Sequence, residues 1–460
     1  MKRSFTIDID KMVYGGQGLG RADGKVVFVP FTAPGDRAEI EVVREKKDYV
    51  EGIPKGFEYG SPLRVKPFCP LFGECGGCQY QHLPYTEQLK LKEVAMRDLL
   101  HRLTPRGNFV ILPVIPSPCD RGYRIRAQLK AGMSGGRRVL GFYAWRTHRV
   151  VEVKDCPLLD QLANKILLGL QNWLSERTGV SVRNADLQVS PDEGQGIVSL
   201  GIDGSVNPSI GEEICRKIKG VKGVALKGKQ KVSWGELSLR YDWPEIGGRE
   251  TLRIQSSGES FFQVNPHQNQ TLMQKVVEWA DLTGQEKVLD LFCGSGNLTL
   301  PLAQKAGQVW GVDQDSRAVD HAVENARENH FSNCTFFATS AEEGIRRVGE
   351  EARSVDVAVL DPPRAGAPGI LDLLVSLRPQ KILYISCEPP TLARDLSRLT
   401  TLGYNVKRVQ PLDMFPQTYH IEAIVELTGS AIIPPLPTPV HLSPSKEKRE
   451  RVGKHDKEKL

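Results

Sequence analysis

The chain has 460 residues, of which 40% are hydrophobic and 25% are charged, as is usual for a globular protein of two to three domains. Its formal charge of +6, from 61 basic and 55 acidic residues, is too small to identify a partner. No apolar run reaches ~18 residues, and residues 1–10 lack the apolar stretch of a signal peptide. We therefore expect no membrane span and a cytoplasmic location. In that compartment, the nine cysteines are expected to be free thiols, metal ligands or catalytic residues rather than disulfides.

Residues 1–60 have the pattern of a small all-β domain. Apolar side chains alternate over residues 4–9, 25–29 and 37–43, and a glycine-rich turn lies at 14–20. This layout resembles the TRAM domain, which implies a β-barrel that binds RNA. The alternative is a barrel that only supports the rest of the chain.

Three cysteines lie within ten residues, at positions 69, 75 and 78, in a loop rich in glycine. The spacing C-x5-C-x2-C leaves a fourth ligand to come from elsewhere. Cys156, in a Cys-Pro turn, is the best candidate, and Cys119 is its rival. This asymmetric set of Cys69, Cys75, Cys78 and a distant thiol favours a 4Fe–4S cluster, because zinc sites more often use two separated C-x2-C pairs. Unligated surface thiols are the alternative.

A helix is predicted over residues 87–103, and a strongly basic segment follows at 119–150. Asp120 is its only acid. Guanidinium groups pair with phosphates, and aromatic rings stack on unpaired bases. We therefore predict RNA contact here, with a solvated face of a β-sheet as the alternative. The basic residues are Arg121, Arg124, Arg126, Lys130, Arg137, Arg138, Arg146 and Arg149, interleaved with Tyr123, Phe142, Tyr143 and Trp145.

Residues 284–428 alternate predicted strands and helices and carry the clearest fold signal. A strand over 287–292 leads to the turn Gly294-Ser-Gly296, and the next strand ends in Asp313. A glycine turn followed by an acid about twenty residues later is typical of nucleoside cofactor sites. The third glycine of a dinucleotide site is missing, which favours S-adenosylmethionine over NAD. Five further predicted strands complete a seven-stranded sheet.

One reactive side chain lies at a strand end in this region. Residues 382–385 form an apolar run that ends at Ser386 and Cys387, just before two prolines and a helix. Ligands bind at the carboxyl edge of open α/β sheets, and helix amides favour the thiolate. Asp361 ends another predicted strand and Glu422 precedes a third. The thiol and both carboxylates, with His420, are predicted to share one sheet edge; a buried structural cysteine is the alternative.

Together these motifs resemble the RNA uracil-5-methyltransferase family, specifically its iron–sulfur branch acting on 23S ribosomal RNA. The resemblance covers about residues 4–428. It implies an α/β protein with a TRAM barrel (1–60), a central α+β iron–sulfur and RNA-binding domain (61–255) and a Rossmann-like seven-stranded methyltransferase domain (256–430). Residues 431–460 are rich in proline and charge and are predicted to be disordered.

The resemblance also implies roles for single residues. Cys387 is expected to be the nucleophile and Glu422 the general base. Phe261 is a candidate to stack where a flipped base leaves the RNA, and Arg124 and Arg126 are expected to contact RNA. Contacts to S-adenosylmethionine are expected from Gln263, Phe292, Asn297, Asp313, Ser340 and Asp361, and cluster ligation from Cys69, Cys75, Cys78 and Cys156.

Two positions depart from the pattern of the family. Glu388 stands where the family usually has Asn, and Ser340 stands where Asn is common. We expect a monomer that methylates C5 of a uridine in 23S ribosomal RNA. Three other functions are alternatives: the same reaction on transfer RNA, a redox or non-catalytic RNA-binding role, and methylation of an exocyclic nitrogen. The last is disfavoured because Arg364 occupies the place of the stacking aromatic in the Asp-Pro-Pro-aromatic motif.

Overall fold

The computed structural model describes residues 3–103, 109–177, 179–244, 246, 251–258, 260 and 262–429. The predicted disordered tail therefore lies outside the described residues. The helices are α1 (Tyr85–Leu103), α2 (Gln161–Ser175), α3 (Ser209–Lys217), α4 (Pro266–Ala280), α5 (Thr299–Ala303), α6 (Ser316–Glu328), α7 (Ala341–Ala352), α8 (Leu371–Ser376) and α9 (Pro389–Thr401). Within the described part of the chain, no helix has the length and apolarity to cross a bilayer.

Six strands form the N-terminal sheet in the order β1-β5-β6-β4-β3-β2. They are β1 (Ser4–Asp8), β2 (Lys11–Val13), β3 (Gln17–Ala22), β4 (Lys25–Pro30), β5 (Arg37–Glu45) and β6 (Tyr49–Tyr59). Alternate side chains of these strands, such as Ile7, Val27 and Ile40, fill a core of their own. The sheet curls back on itself, so that β3 approaches β1. A Cβ built on Gly20 of β3 would lie only 2.2 Å from the carbonyl oxygen of Asp8 in β1.

The middle sheet has seven strands in the order β10-β9-β8-β11-β12-β13-β14, and a β15–β16 hairpin follows it. The strands are β8 (Arg126–Ser134), β9 (Arg137–Tyr143), β10 (Val150–Glu152), β11 (Val182–Ser190), β12 (Gln195–Ile202), β13 (Val221–Lys227), β14 (Lys231–Gly235), β15 (Ser238–Pro244) and β16 (Thr251–Ser257). One hydrophobic core runs from Ile125 through this sheet to Ile424 of the last sheet. The middle region is thus fused to the C-terminal region by shared packing.

The C-terminal sheet has eight strands in the order β19-β18-β17-β20-β21-β23-β22-β7. They are β7 (Val110–Ile111), β17 (Lys287–Leu291), β18 (Gln308–Asp313), β19 (Cys334–Ala338), β20 (Val357–Leu360), β21 (Lys381–Ser386), β22 (Tyr404–Leu412) and β23 (Glu422–Gly429). All seven predicted strands are present. The prediction of seven is nevertheless incomplete, because β7 pairs in parallel with β22 as an eighth.

Candidate active site

The predicted nucleophile and base lie on neighbouring strands. β21 and β23 are antiparallel, and their last pair joins Ser386 to Ala423. Cys387 directly follows Ser386, and Glu422 directly precedes Ala423, so both residues lie at the same end of this strand pair. The charge of Glu422 acts on the Cys387 thiol. The two side chains therefore share one site, which we call the thiol site.

The surroundings of Cys387 favour the protonated thiol. Burial, followed by the negative charges of Glu422 and Asp361, raises the pKa of the Cys387 thiol to about 12. Arg364 opposes this shift through its positive charge and a hydrogen bond. The net shift runs against the effect expected from helix amides, because burial and the two carboxylates raise the pKa of Cys387.

Glu422, which is buried, and Asp361, which is half-buried, form an acidic pair beside the thiol. Burial raises the pKa of both carboxyl groups, the charge of Asp361 raises that of Glu422 further, and Arg364 lowers it. Only 2% of Glu422 is exposed. Two buried carboxyl groups at one site do not both ionise readily. The pair therefore retains a proton more strongly than a solvated acid does.

The loop that carries Asp361 and Arg364 is fixed to α9 by one buried carboxylate. Asp395 of α9 accepts hydrogen bonds from the backbone N–H of Ala367 at 2.7 Å and from the hydroxyl of Tyr384 at 2.6 Å. These bonds join the loop, the strand that precedes the thiol and the helix that follows it. The network thereby holds Arg364 at the thiol site.

The start of α9 explains the two prolines after the thiol. Glu388 is the N-cap of this helix, and Pro389 and Pro390 occupy its first turn, where the amides have no helical partner. Glu388 makes no side-chain capping bond to α9. Its carboxylate instead accepts a hydrogen bond of 3.2 Å from the hydroxyl of Tyr14 in the N-terminal sheet.

A glycine turn after β17 forms an open cradle beside Asp313. Gly294 and Gly296 have φ angles of +54° and +91°, which glycine adopts without strain. A Cβ built on Gly294 would meet no atom within 4 Å. Asp313 accepts backbone hydrogen bonds from Gly294 and Asp315, each 2.9 Å long. One bond to each oxygen leaves this carboxylate able to accept ligand hydroxyl groups as well.

Negative charge is concentrated along this edge. Asp290 is fully buried, and its pKa is raised to about 7 by burial and by the charges of Asp361 and Asp313, although Thr299 donates a 2.6 Å hydrogen bond to it. Its Oδ1 atom has no partner among the described residues. Three acids around one cradle suit a ligand that carries positive charge.

The remaining four residues predicted to contact the cofactor differ in burial, hydrogen bonding and backbone conformation. Asn297 exchanges two hydrogen bonds, of 2.8 and 3.0 Å, with Asn269 of α4. Gln263 is buried just before α4, and Phe292 has a φ of +66°, unusual for a large side chain. Ser340 is exposed and already accepts a 3.2 Å hydrogen bond from the first turn of α7. All four contacts stay predictions.

The four predicted cluster ligands line one cavity of about 700 Å³, which we call the cysteine cavity. Burial raises the pKa of the Cys78 thiol to about 12, with further contributions from the charges of Cys156, Cys75 and Cys69. Cys119, the rival ligand, is exposed. Within the described residues, no three potential ligands converge tightly enough for a single metal ion. A 4Fe–4S cluster needs a wider cage, because its thiolates bind different irons.

The cysteine cavity adjoins the thiol site through Arg364. It is also lined by Arg124, Arg364 and the loop from Phe415 to His420. Burial, assisted by nearby cations, lowers the pKa of His420 to about 3, so this imidazole is neutral at physiological pH. Because Arg364 faces both the cavity and the Cys387 thiol, the two predicted centres adjoin each other.

The charge bias of residues 119–150 is smaller in the folded chain than in the sequence. Acids from other segments pair with several of the arginines, so the eight-to-one count overstates the free positive charge. Most of these pairs are exposed and contribute little to stability. The pairs are Arg146 with Glu51 at 2.8 Å, Arg149 with Glu74 at 2.9 Å, and Arg137 with Glu152 at 3.6 Å.

The three residues predicted to contact RNA differ in their structural positions. Arg124 lines the cysteine cavity. Arg126 instead donates a 2.9 Å hydrogen bond to the carbonyl oxygen of Ser260, and burial lowers its pKa. Arg126 therefore braces β8 against the chain before α4, and a direct RNA contact by it is not supported. Phe261 lies outside the described residues.

Sequence reasoning missed two contacts that shape this region. Lys92 of α1 forms a fully buried ion pair of 2.6 Å with Asp413, which anchors the loop that leads to Glu422. Tyr14 reaches Glu388 from the N-terminal sheet. The glycines that follow Tyr14 predict a turn, but the sequence holds no signal for what that turn contacts.

The sheet order, the glycine turn and the edge acids define an α/β methyltransferase fold. The sequence profile described as tRNA (Uracil-5-)-methyltransferase matches residues 84–429, and the TRAM domain profile matches residues 3–55. The chain therefore belongs to the uracil-5-methyltransferase family of RNA methyltransferases and carries an N-terminal TRAM domain.

Similar proteins agree over almost the whole chain. An uncharacterized RNA methyltransferase of Thermosynechococcus vestitus is 35% identical, covering 93% of this chain and 98% of its own. Another, from Halalkalibacterium halodurans, is 34% identical, with 92% and 96% coverage. The solved structure of the Pyrococcus abyssi tRNA (uracil-54, C5)-methyltransferase in complex with S-adenosyl-L-homocysteine is 26% identical, with a TM-score of 0.70 and coverage of 92% and 100%.

Proposed function

We propose that this protein uses S-adenosylmethionine to methylate C5 of a specific uridine in 23S ribosomal RNA, through a covalent bond between Cys387 and C6 of the uracil. The observation that carries the proposal is that Cys387 and Glu422 lie at the same end of the β21–β23 strand pair, where the charge of Glu422 acts on the thiol. A thiol alone or a carboxylate alone is common in a protein interior, whereas the pair at the ligand-binding edge of the sheet suits one reaction.

The thiol is needed because C5 of uracil is a poor nucleophile. When the Cys387 thiolate adds to C6, the C5=C6 double bond breaks and its electron pair becomes an enolate. C5 of the enolate could then bond the methyl group of a sulfonium cofactor, and the electron pair of the broken S–CH3 bond would stay on sulfur, leaving a neutral thioether. Arg364 favours the thiolate electrostatically, since its charge lowers the pKa of Cys387.

The carboxylate is needed to finish the reaction. After methylation, C5 carries both a methyl group and a proton. Glu422 removes that proton, the electron pair restores the C5=C6 bond, and the Cys387 thiolate leaves. Burial, followed by the charge of the neighbouring Asp361, keeps the pKa of Glu422 raised, which makes Glu422 a stronger base than a solvated glutamate.

The cradle beside Asp313 fits S-adenosylmethionine. That cofactor supplies a methyl group activated by a positively charged sulfur. The acids Asp290, Asp313 and Asp361 complement such a charge, and Asp313 retains acceptor capacity for ribose hydroxyls. Gln263, Phe292, Asn297 and Ser340 are proposed as further contacts.

The cysteine cavity fits a 4Fe–4S cluster held by Cys69, Cys75, Cys78 and Cys156. The four thiols that line this one cavity support this assignment. Since the cavity adjoins the thiol site through Arg364, a cluster there would form one wall of the RNA-binding space. Arg124 and Phe261 are proposed to contact the RNA.

Transfer RNA is the second candidate substrate. The likeness to the Pyrococcus abyssi enzyme, which extends over 92% of the chain, favours it. The resemblance of the cysteine-rich loop to the iron–sulfur branch favours 23S ribosomal RNA. Both candidates share the same chemistry at Cys387 and Glu422.

The decisive experiment is mass mapping of 5-methyluridine in ribosomal and transfer RNA from cells with and without the protein. We expect one or more 23S sites to lose the modification and to regain it when the wild-type chain, but not Cys387→Ala, is restored. Loss confined to transfer RNA would select the second candidate. Restoration by Cys387→Ala would remove the covalent mechanism.

A further inference from the structure

A side chain of the N-terminal sheet reaches the thiol site. Tyr14 begins the turn between β2 and β3, and its hydroxyl donates a 3.2 Å hydrogen bond to Oε1 of Glu388, the residue after Cys387. Its ring packs edge-on against the ring of Tyr419, with 5.5 Å between centroids. Tyr419 lies three residues before Glu422. One residue of the TRAM domain thus contacts both loops that carry the proposed reactive groups.

The turn that carries Tyr14 is tightly seated. A Cβ added at Gly16 would lie 3.0 Å from Gln79 and 3.2 Å from Tyr419, closer than ordinary packing allows. Gly16 also has a φ of +77°, so glycine is required there. Burial, with the charge of Glu388, raises the pKa of Tyr14, which keeps its hydroxyl a hydrogen-bond donor.

We propose that Tyr14 is a positioning residue that holds the Cys387 loop against the Glu422 loop, so that the TRAM domain is part of the catalytic site and not only an RNA anchor. Its hydroxyl acts through Glu388 and its ring through Tyr419. Gly15 of the same turn and Gln17, the first residue of β3, line the cysteine cavity, so RNA in that cavity would meet this turn. The inference rests on the proposed function.

The test replaces Tyr14 by Phe, which keeps the ring and removes the hydroxyl. RNA containing 5-fluorouridine traps the covalent adduct, because fluorine at C5 does not leave as a proton does. With saturating RNA and S-adenosylmethionine, we expect adduct formation by Tyr14→Phe to be about tenfold slower, with the RNA dissociation constant unchanged. Tyr49→Phe, which removes a hydroxyl elsewhere in the same sheet, should match the wild type.

A double-mutant comparison assigns the effect to Glu388. Glu388→Gln keeps an acceptor and should stay within about twofold of the wild type, whereas Glu388→Ala should match Tyr14→Phe. The double variant Tyr14→Phe/Glu388→Ala should form the adduct no more slowly than either single variant. Equal rates for Tyr14→Phe and wild type, weakened RNA binding alone, or additive losses would overturn the inference. A wild-type protein that forms neither adduct nor methylated RNA would instead refute the proposed function.

Discussion

The thiol site and the cysteine cavity adjoin each other, yet the chain builds them by different means. The thiol site lies at the ends of three adjacent strands, β20, β21 and β23, so the sheet order brings Asp361, Cys387 and Glu422 together. The cysteine cavity is lined mostly by loops, together with parts of β8 and β9. The loops are residues 69–78, the turn at Cys156, the TRAM turn and the segment before Glu422. Its geometry depends on how separate regions pack.

This difference determines what each region tolerates. A strand end cannot shift without breaking a ladder of backbone hydrogen bonds, so chemistry that needs sub-ångström placement suits the thiol site. A loop-lined cavity accepts larger groups, such as RNA or a cluster, and gains rigidity from what it binds.

The largest effect is expected at the thiol site. Glu422→Gln keeps the shape of the side chain but cannot accept the C5 proton, so methylation should slow by about 10²–10⁴-fold. The thiol still adds to C6, and a protein–RNA adduct should accumulate on normal RNA, visible on a denaturing gel. Glu426→Gln, a buried acid on the same strand, is the control and should accumulate none. A folded Glu422→Gln protein without adduct would count against the base assignment.

Much of the thiol site follows from the sequence alone, because strand ends are visible there. Apolar runs ending at Asp361 and Cys387, and one beginning at Glu422, suffice to predict a shared edge. The thiol pKa is not predictable in this way. It depends on burial and on the neighbouring carboxylates, which only the packed structure reveals. The two-residue strand β7 escapes notice for a related reason: a run that short has no periodicity.

The cysteine cavity was less predictable. The C-x5-C-x2-C spacing identifies three thiols, but the choice between Cys156 and Cys119 needs the fold. Counting charge along residues 119–150 fails because partners such as Glu51 and Glu74 come from distant segments. Loops assemble through tertiary packing, and local sequence patterns carry little information about it.

The next effect concerns the cysteine cavity. An anaerobic wild-type preparation should be brown and contain about four irons per chain. Cys156→Ser should lose most of this iron, because it removes one of the four thiols that line the cavity, whereas Cys119→Ser should keep it. Iron content and visible absorption measure both. Iron loss in the Cys119 variant alone, or zinc without iron in the wild type, would reverse the ligand assignment.

A pH profile tests the electrostatics of the thiol site. Cys387 and Glu422 act without their protons, and the structure raises the pKa of both. Activity should therefore fall as pH falls, by up to about tenfold per unit while the thiol limits the rate. Arg364→Gln removes a charge that lowers the thiol pKa, so its rate should be lower throughout that range. A single-turnover rate independent of pH from 6 to 9 would contradict these shifts.

The smallest effect is expected among the arginines, and it tests whether cavity position or sequence composition governs RNA binding. Arg124→Ala removes a cation from the cavity wall and should weaken RNA binding roughly fivefold, with a salt dependence reduced by about one ion. Arg137→Ala removes a cation that pairs with Glu152 and should change binding by less than about twofold. Fluorescence anisotropy at several salt concentrations measures both. Equal losses would mean that the whole basic segment binds RNA as a surface, and that the cysteine cavity is not where the strand enters.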